Sequence, residues 1–157
     1  MSTQETIADA KLARRAREDE LARDILEECR VQLMLKFRFM DMALWRMENV
    51  PIRAGARYPL TTDARRVAFD PPRVIARFEE GFDELIRDYL HMVMHCIFRH
   101  LWTKGRRDKR LWHLACDIAV ENVIDSLNRA SVKRPLTYVR QNAYQQITAE
   151  EKVVAAA

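Results

Sequence analysis

From Leu21 onward, apolar residues return at every third or fourth position: Leu21, Ile25, Leu26, Cys29, Leu33, Phe37, Met40 and Leu44. This spacing predicts one long amphipathic helix with a stripe wide enough to cover a core. The helix should end near Asn49, because Pro51 disfavours α geometry in Val50. Met42, Trp45 and Met47 fall in its last turns and read as core packing. Residues 1–20 are rich in Ala, Arg, Glu and Lys but poor in large apolar side chains, and read as a flexible, fraying segment.

Between Ile52 and Asp70 the period changes. Tyr58 to Thr61, a polar turn at Thr62 to Arg65, and Arg66 to Asp70 predict a short β-hairpin. Pro59 confines its first strand to an edge or a bulge. This is the one convincing strand region, so any sheet is small. Pro71 and Pro72 open a helix whose apolar face is Val74, Ile75, Phe78, Phe82, Leu85 and Ile86, with a kink or break at Gly81. Tyr89 to Trp102 is apolar on nearly every side and predicts a buried, central helix. After a charged loop in which Gly105 ends the helix, Asp108 caps a further helix from about Arg110 to Leu127. Its packing stripe is Leu111, Leu114, Ala115, Ile118, Ala119 and Val123, and His113, Asp117 and Glu121 form a polar line on the same rod. Ser131 to Pro135 reads as a linker, and Thr148 to Glu151 has the spacing of a capping box. The organisation expected is a flexible segment at 1–20, one domain at 21–130, and a linker plus the start of a following helix at 131–157. That last feature is the form of a piece excised from a longer chain. The fold class is α+β and mostly helical.

Composition narrows the function classes. A chain of 157 residues suits one domain with a real core, and 48% apolar with 32% charged residues describes a soluble globular protein. The net charge of +4 is too small and too dispersed to argue for a nucleic-acid partner. The longest uncharged apolar run, Tyr89 to Phe98, falls far short of the ~20 residues that span a bilayer, and the polar N-terminus is no signal peptide. The three cysteines, Cys29, Cys96 and Cys116, are odd in number and lie in apolar surroundings. They read as reduced thiols of a cytoplasmic protein.

The candidate chemistry lies in the buried helix. Three of the four histidines, His91, His95 and His100, fall within ten residues. His91 and His95, four apart, project from one face and can offer two imidazole nitrogens to one metal ion. The polar line on the next helix supplies partners, since burying His113, Asp117 and Glu121 is costly without them. Two imidazoles with a carboxylate or a third imidazole form a zinc-type set with an open position. His91 and His95 are therefore candidate ligands, with Asp117 or His113 as the third. His100, nine residues after His91, lies on the opposite side of a straight helix and joins the site only if the helix ends first. It is read as a residue that fixes the following loop, or as an alternative ligand, and Glu121 likewise. Cys96 and Cys116 read as packing. Met92 follows His91, where the zinc-peptidase motif has the general-base glutamate. The metal-binding half of the motif is present and its catalytic half is missing.

The stretches Leu90-His-Met-Val-Met-His-Cys-Ile-Phe-Arg-His-Leu101 and Leu111-Trp-His-Leu-Ala-Cys-Asp-Ile-Ala-Val-Glu121 resemble the metallopeptidase, zincin-like domain of bacterial VWA-like proteins. In that family the pattern is His-Glu-x-x-His-x-x-x-x-His followed by Ala-x-Asp. Here His91, His95 and His100 match its histidines, and Ala115-Cys-Asp117 its later segment. The resemblance implies a minimal gluzincin-type fold with a curled sheet edge against the histidine helix. It also implies a zinc site and a protein partner, either a VWA domain in cis or a MoxR-type AAA+ ATPase. In related gluzincins the downstream ligand falls four residues before the Asp, which would be His113. With Met92 in place of the glutamate, the reading is a metal-binding pseudo-peptidase acting as a structural or interaction module. The rivals are an active metallohydrolase with another base such as Glu121, and a metal-free helical binding module.

Overall fold

The computed structural model describes residues 3–53, 59–127 and 132. Its elements in chain order are α1 (Thr3–Lys36), a 3₁₀ turn (Arg38–Met40), α2 (Asp41–Trp45), β1 (Glu48–Pro51), β2 (Leu60–Thr62), β3 (Arg66–Phe69), α3 (Pro71–Glu80), α4 (Phe82–Ile97) and α5 (Lys109–Ser126). The architecture is α+β and mostly helical, a helical layer carrying a small three-stranded sheet. The segments Ser131 to Pro135 and Thr148 to Glu151, and the residue Tyr58, lie outside the described residues, apart from Val132.

The first helix begins at Thr3, where its early apolar residues Ile7 and Leu12 are exposed, and falls short of the end expected near Asn49. At the other end it stops at Lys36, because Phe37 leaves helical geometry (φ −132°, ψ 66°). The chain then folds back along α1, so that Phe37, Met40 and Leu44 still reach the core that Ala22, Ile25, Leu26, Cys29 and Leu33 line. A spacing of three and four fits one straight rod or two rods folded together, and no proline or glycine marks the break. What holds the return is Arg30 of α1, which donates to the carbonyl oxygens of Met47 (2.9 Å) and Leu44 (3.5 Å). The fold-back also corrects the expectation for three large side chains. Met47 is buried, but Met42 and Trp45 are 70% and 73% exposed.

The hairpin expected between Tyr58 and Asp70 forms as β2 and β3, antiparallel, with Leu60 opposite Phe69 and Thr62 opposite Val67. Asp63 closes its turn by accepting from the backbone N–H groups of Arg65 (2.9 Å) and Arg66 (2.8 Å). A third strand, β1, was not foreseen. It pairs parallel to β3 with Glu48 opposite Arg66, giving the order β1-β3-β2. Pro51 is tolerated because β1 is an edge strand. Val67 and Phe69 of the central strand are fully buried.

α3 starts at Pro71 as expected, Gly81 separates it from α4, and the Phe78 and Phe82 rings pack edge-on at 5.4 Å across the break. α4 buries Leu85, Ile86, Arg87, Tyr89, Leu90, Met92, Val93 and Met94, nearly the whole circumference. It ends at Ile97, five residues earlier than Trp102. α5 is capped by Asp108, whose side chain accepts from Leu111 N–H at 2.9 Å. Its inward face shares Val123 with the expected stripe but otherwise differs from it. Cys116, Val120 and Ile124 are buried, whereas Leu111, Leu114, Ala115 and Ala119 are exposed. The helix is rotated so that Asp117 and Glu121 face α4. No helix among the described residues is long and apolar enough to cross a membrane.

The fold-back makes a direct prediction. Leu33→Ala removes a fully buried side chain and should cost about 2–5 kcal/mol in urea unfolding. Trp45→Ala should change stability by no more than about 0.5 kcal/mol, as surface substitutions do. A large loss from Trp45→Ala would show that the chain continues as the straight helix with Trp45 inside.

Candidate metal centre

His91 and His95 sit on successive turns of α4 and Asp117 comes from the facing turn of α5. His91 Nε2 and His95 Nε2 are 2.9 Å apart. Asp117 Oδ1 lies 3.2 Å from His95 Nε2 and 3.7 Å from His91 Nε2. In a tetrahedral shell with bonds of ~2.0–2.1 Å, ligand atoms stand about 3.3 Å from one another. The three observed separations bracket that value, and two nitrogens with one carboxylate oxygen are a fitting donor set for a divalent cation. These residues form a possible metal site. His113, the other candidate third ligand, lies one turn earlier on α5, exposed on the wall of the same cavity and outside this group.

Each histidine is oriented from behind. Glu121 Oε1 lies 2.7 Å from His91 Nδ1, which donates to it and so leaves Nε2 as the atom facing His95 and Asp117. His100 Nδ1 lies 3.2 Å from His95 Nδ1. His100 reaches that position because α4 ends before it. Arg99 takes a left-handed conformation (φ 59°), and the bonds His100 N–H to His95 O (3.0 Å) and Arg99 N–H to Cys96 O (3.1 Å) close a Schellman turn. The turn folds His100 back over His95, and Trp112 Nε1 donates to the His100 carbonyl at 3.1 Å. The straight-helix argument that set His100 apart fails for this reason. The signal lay in geometry that glycine usually provides and that an arginine provides here.

The charges of the cluster are mutually dependent. Burial pulls the His91 imidazole down, but the hydrogen bonds and charges of Asp117 and Glu121 outweigh it and push the pKa up to about 9. Hydrogen bonds from His91 and His95 hold the Asp117 carboxyl well below the usual carboxylate range. Burial raises the Glu121 carboxyl, but His91 and Arg87 prevail and lower it to about 2. Arg87 was not singled out from the sequence. Among the described residues it is the charged residue inside the core, and its Nη2 lies 2.5 Å from Glu121 Oε2 and 2.8 Å from Asp125 Oδ1. Extending the polar line of α5 by four more residues, to Asp125, would have pointed to a buried cation opposite it.

The site opens into a cavity of about 620 Å³. Pro59 to Thr62 of the edge strand form one wall, Leu101 and Trp112 another, and Met92 lies beside His91 and His95. Cys96 and Cys116 stay outside the ligand group. Cys96 lies 3.9 Å from the Thr62 hydroxyl, and Cys116 lines the cavity wall.

A family model described as "Putative metallopeptidase domain" matches residues 24–155. No curated protein and no solved structure gives a significant match to the chain.

The cluster fixes a pH dependence. A raised histidine pKa contributes stability that is complete below ~6.5 and is lost as pH rises through about 9. The lowered Glu121 pKa contributes stability that is present above ~4.3 and is lost as pH falls towards about 2. In chelator the melting temperature should therefore peak between these limits and fall from pH 6.5 to 9. Zinc should reverse the alkaline limb, because its ligands must be deprotonated. His95→Ala should abolish the zinc response and cost roughly 1–3 kcal/mol through partners left unmatched. A melting temperature indifferent to zinc at every pH would exclude the site.

Proposed function

Since the chain belongs to the Putative metallopeptidase domain family, we propose that it holds one divalent cation and has lost peptide hydrolysis. The ion is zinc by the chemistry of its donors, and His91, His95 and Asp117 are its ligands. The observation that carries the reading is Met92. It occupies the position next to His91 where the motif has its glutamate, is 8% exposed, and lines the cavity beside both histidines. A bound zinc supplies Lewis acidity that polarises a carbonyl or acidifies a water. The chain's own residues must then accept a proton during attack and deliver it to the leaving amine, and a thioether does neither.

Nearby carboxylates are poor substitutes. Glu121 has one oxygen on His91 and the other on Arg87, and its low pKa makes it a weak base. Asp88, on the cavity wall, accepts from Arg77 Nε at 2.7 Å. The rival reading of an active hydrolase using Glu121 therefore lacks support. What remains is a metal-stabilised module for structure or recognition, working with a VWA domain or a MoxR-type AAA+ ATPase as the family resemblance suggests. Three free thiols suit a reducing cytoplasm.

The test compares the parent with Met92→Glu, both zinc-loaded, on unstructured peptides. The parent should show no cleavage above background, because general acid–base catalysis is worth ~10²–10⁴-fold. The glutamate variant should gain measurable activity. Robust cleavage by the parent overturns the assignment, and a metal analysis showing no bound ion removes its premise.

A further inference from the structure

One turn before His91, α4 places a guanidinium inside the core. Arg87 is 1% exposed, and a charge so buried is costly unless each donor meets an acceptor. Nη2 meets Glu121 and Asp125, successive members of the polar line on α5. Nη1 donates to the backbone carbonyl of Val132, whose side chain is itself buried in the core. Nε is buried without a partner among the described residues. Glu121, held by Arg87 through Oε2, spends Oε1 on His91 Nδ1. A continuous line of polar contacts therefore runs from the Val132 carbonyl through Arg87 and Glu121 to His91, 2.9 Å from His95.

We propose that Arg87 is a positioning residue that couples the metal centre to the seating of the chain at Val132. With Val132 docked, Arg87 has an acceptor on each side. It then holds Glu121 against His91, so that His91 Nε2 points at the cation. With Val132 lifted away, Nη1 joins Nε as a buried donor without an acceptor. The guanidinium must then shift to find one, and Glu121 shifts with it. Carboxylates that orient a metal-binding imidazole typically account for 10- to 100-fold in metal affinity. Coupling between two equilibria is reciprocal, so the metal tightens the seat by the same factor that the seat tightens the metal. A partner that pulls on the chain at Val132 thereby loosens the ion, and loss of the ion loosens the seat. The inference rests on the reading that His91, His95 and Asp117 hold a divalent cation.

The experiment measures zinc affinity in the full chain by competition with a chromophoric chelator, and the visible spectrum of the cobalt-loaded protein. Val132→Asp unseats that residue from the core without touching the site, Val132→Ala does so in part, and Arg87→Lys keeps the charge but loses the forked geometry. Val74→Ala, a buried position on α3 away from the cavity, controls for loss of stability alone. Zinc affinity should fall at least about tenfold in Val132→Asp and Arg87→Lys, less in Val132→Ala, with a shifted cobalt band in each. Val74→Ala should stay within about twofold of the parent, as distant sites do. If Val132→Asp fails to fold, Val132→Ala and Arg87→Lys decide. Parental affinity in these variants, or an equal loss in Val74→Ala, overturns the coupling. A parent that binds no zinc fails the underlying reading instead, and the two failures are distinct.

Discussion

The arrangement of α4 against α5 is governed by the cost of burying polar groups without partners. α4 is surrounded on nearly every side, yet it carries Arg87, His91 and His95 into that environment. Each would be destabilising alone, and each is met by a carboxylate from one line on α5: Asp125, Glu121 and Asp117. Matching these groups outweighs the apolar preference of α5. The helix presents Cys116, Val120 and Ile124 to the core and leaves Leu111 and Leu114 at the surface.

The rest of the fold keeps that pairing in place. Packing of α1 and α3 against α4 fixes the histidine helix from the far side, and β2 closes the cavity with Leu60 to Thr62. The left-handed Arg99 ends α4 in time for His100 to stand behind His95. A non-glycine residue in that conformation carries a local cost, of order 1 kcal/mol. Here it coincides with the turn that orients a candidate ligand. The resulting cluster has candidate ligands, orienting partners and an open cavity, while the position beside His91 holds a thioether. A donor set that fits an ion and a group that moves a proton are separable requirements, and the position of Met92 bears on the second alone.

Much of this was written in local sequence. The four-residue spacing of His91 and His95 puts two imidazoles on one face whatever surrounds them, and the same spacing aligns Asp117 with Glu121. Pro71, Gly81 and Asp108 mark helix boundaries through backbone chemistry, and the hairpin at β2 and β3 follows from its polar turn. These features depend on neighbours within about four residues, so the sequence suffices.

Tertiary structure decided what depends on distant partners. The apolar stripe after Leu33 fits a straight or a folded rod, and the second is held by Arg30 reaching the carbonyls of Leu44 and Met47 together with the burial of Phe37, Met40 and Leu44. β1 has no alternation of its own and becomes a strand because β3 offers it a free edge. The choice of Asp117 over His113 as neighbour of the histidines, and the return of His100, follow from how α5 is rotated and where α4 stops. Arg87 reads as a lone arginine in an apolar run until Glu121, Asp125 and the Val132 carbonyl close around it. Spacing along a helix fixes which side chains share a face, but which face turns inward is settled by the groups that must be satisfied across the interface.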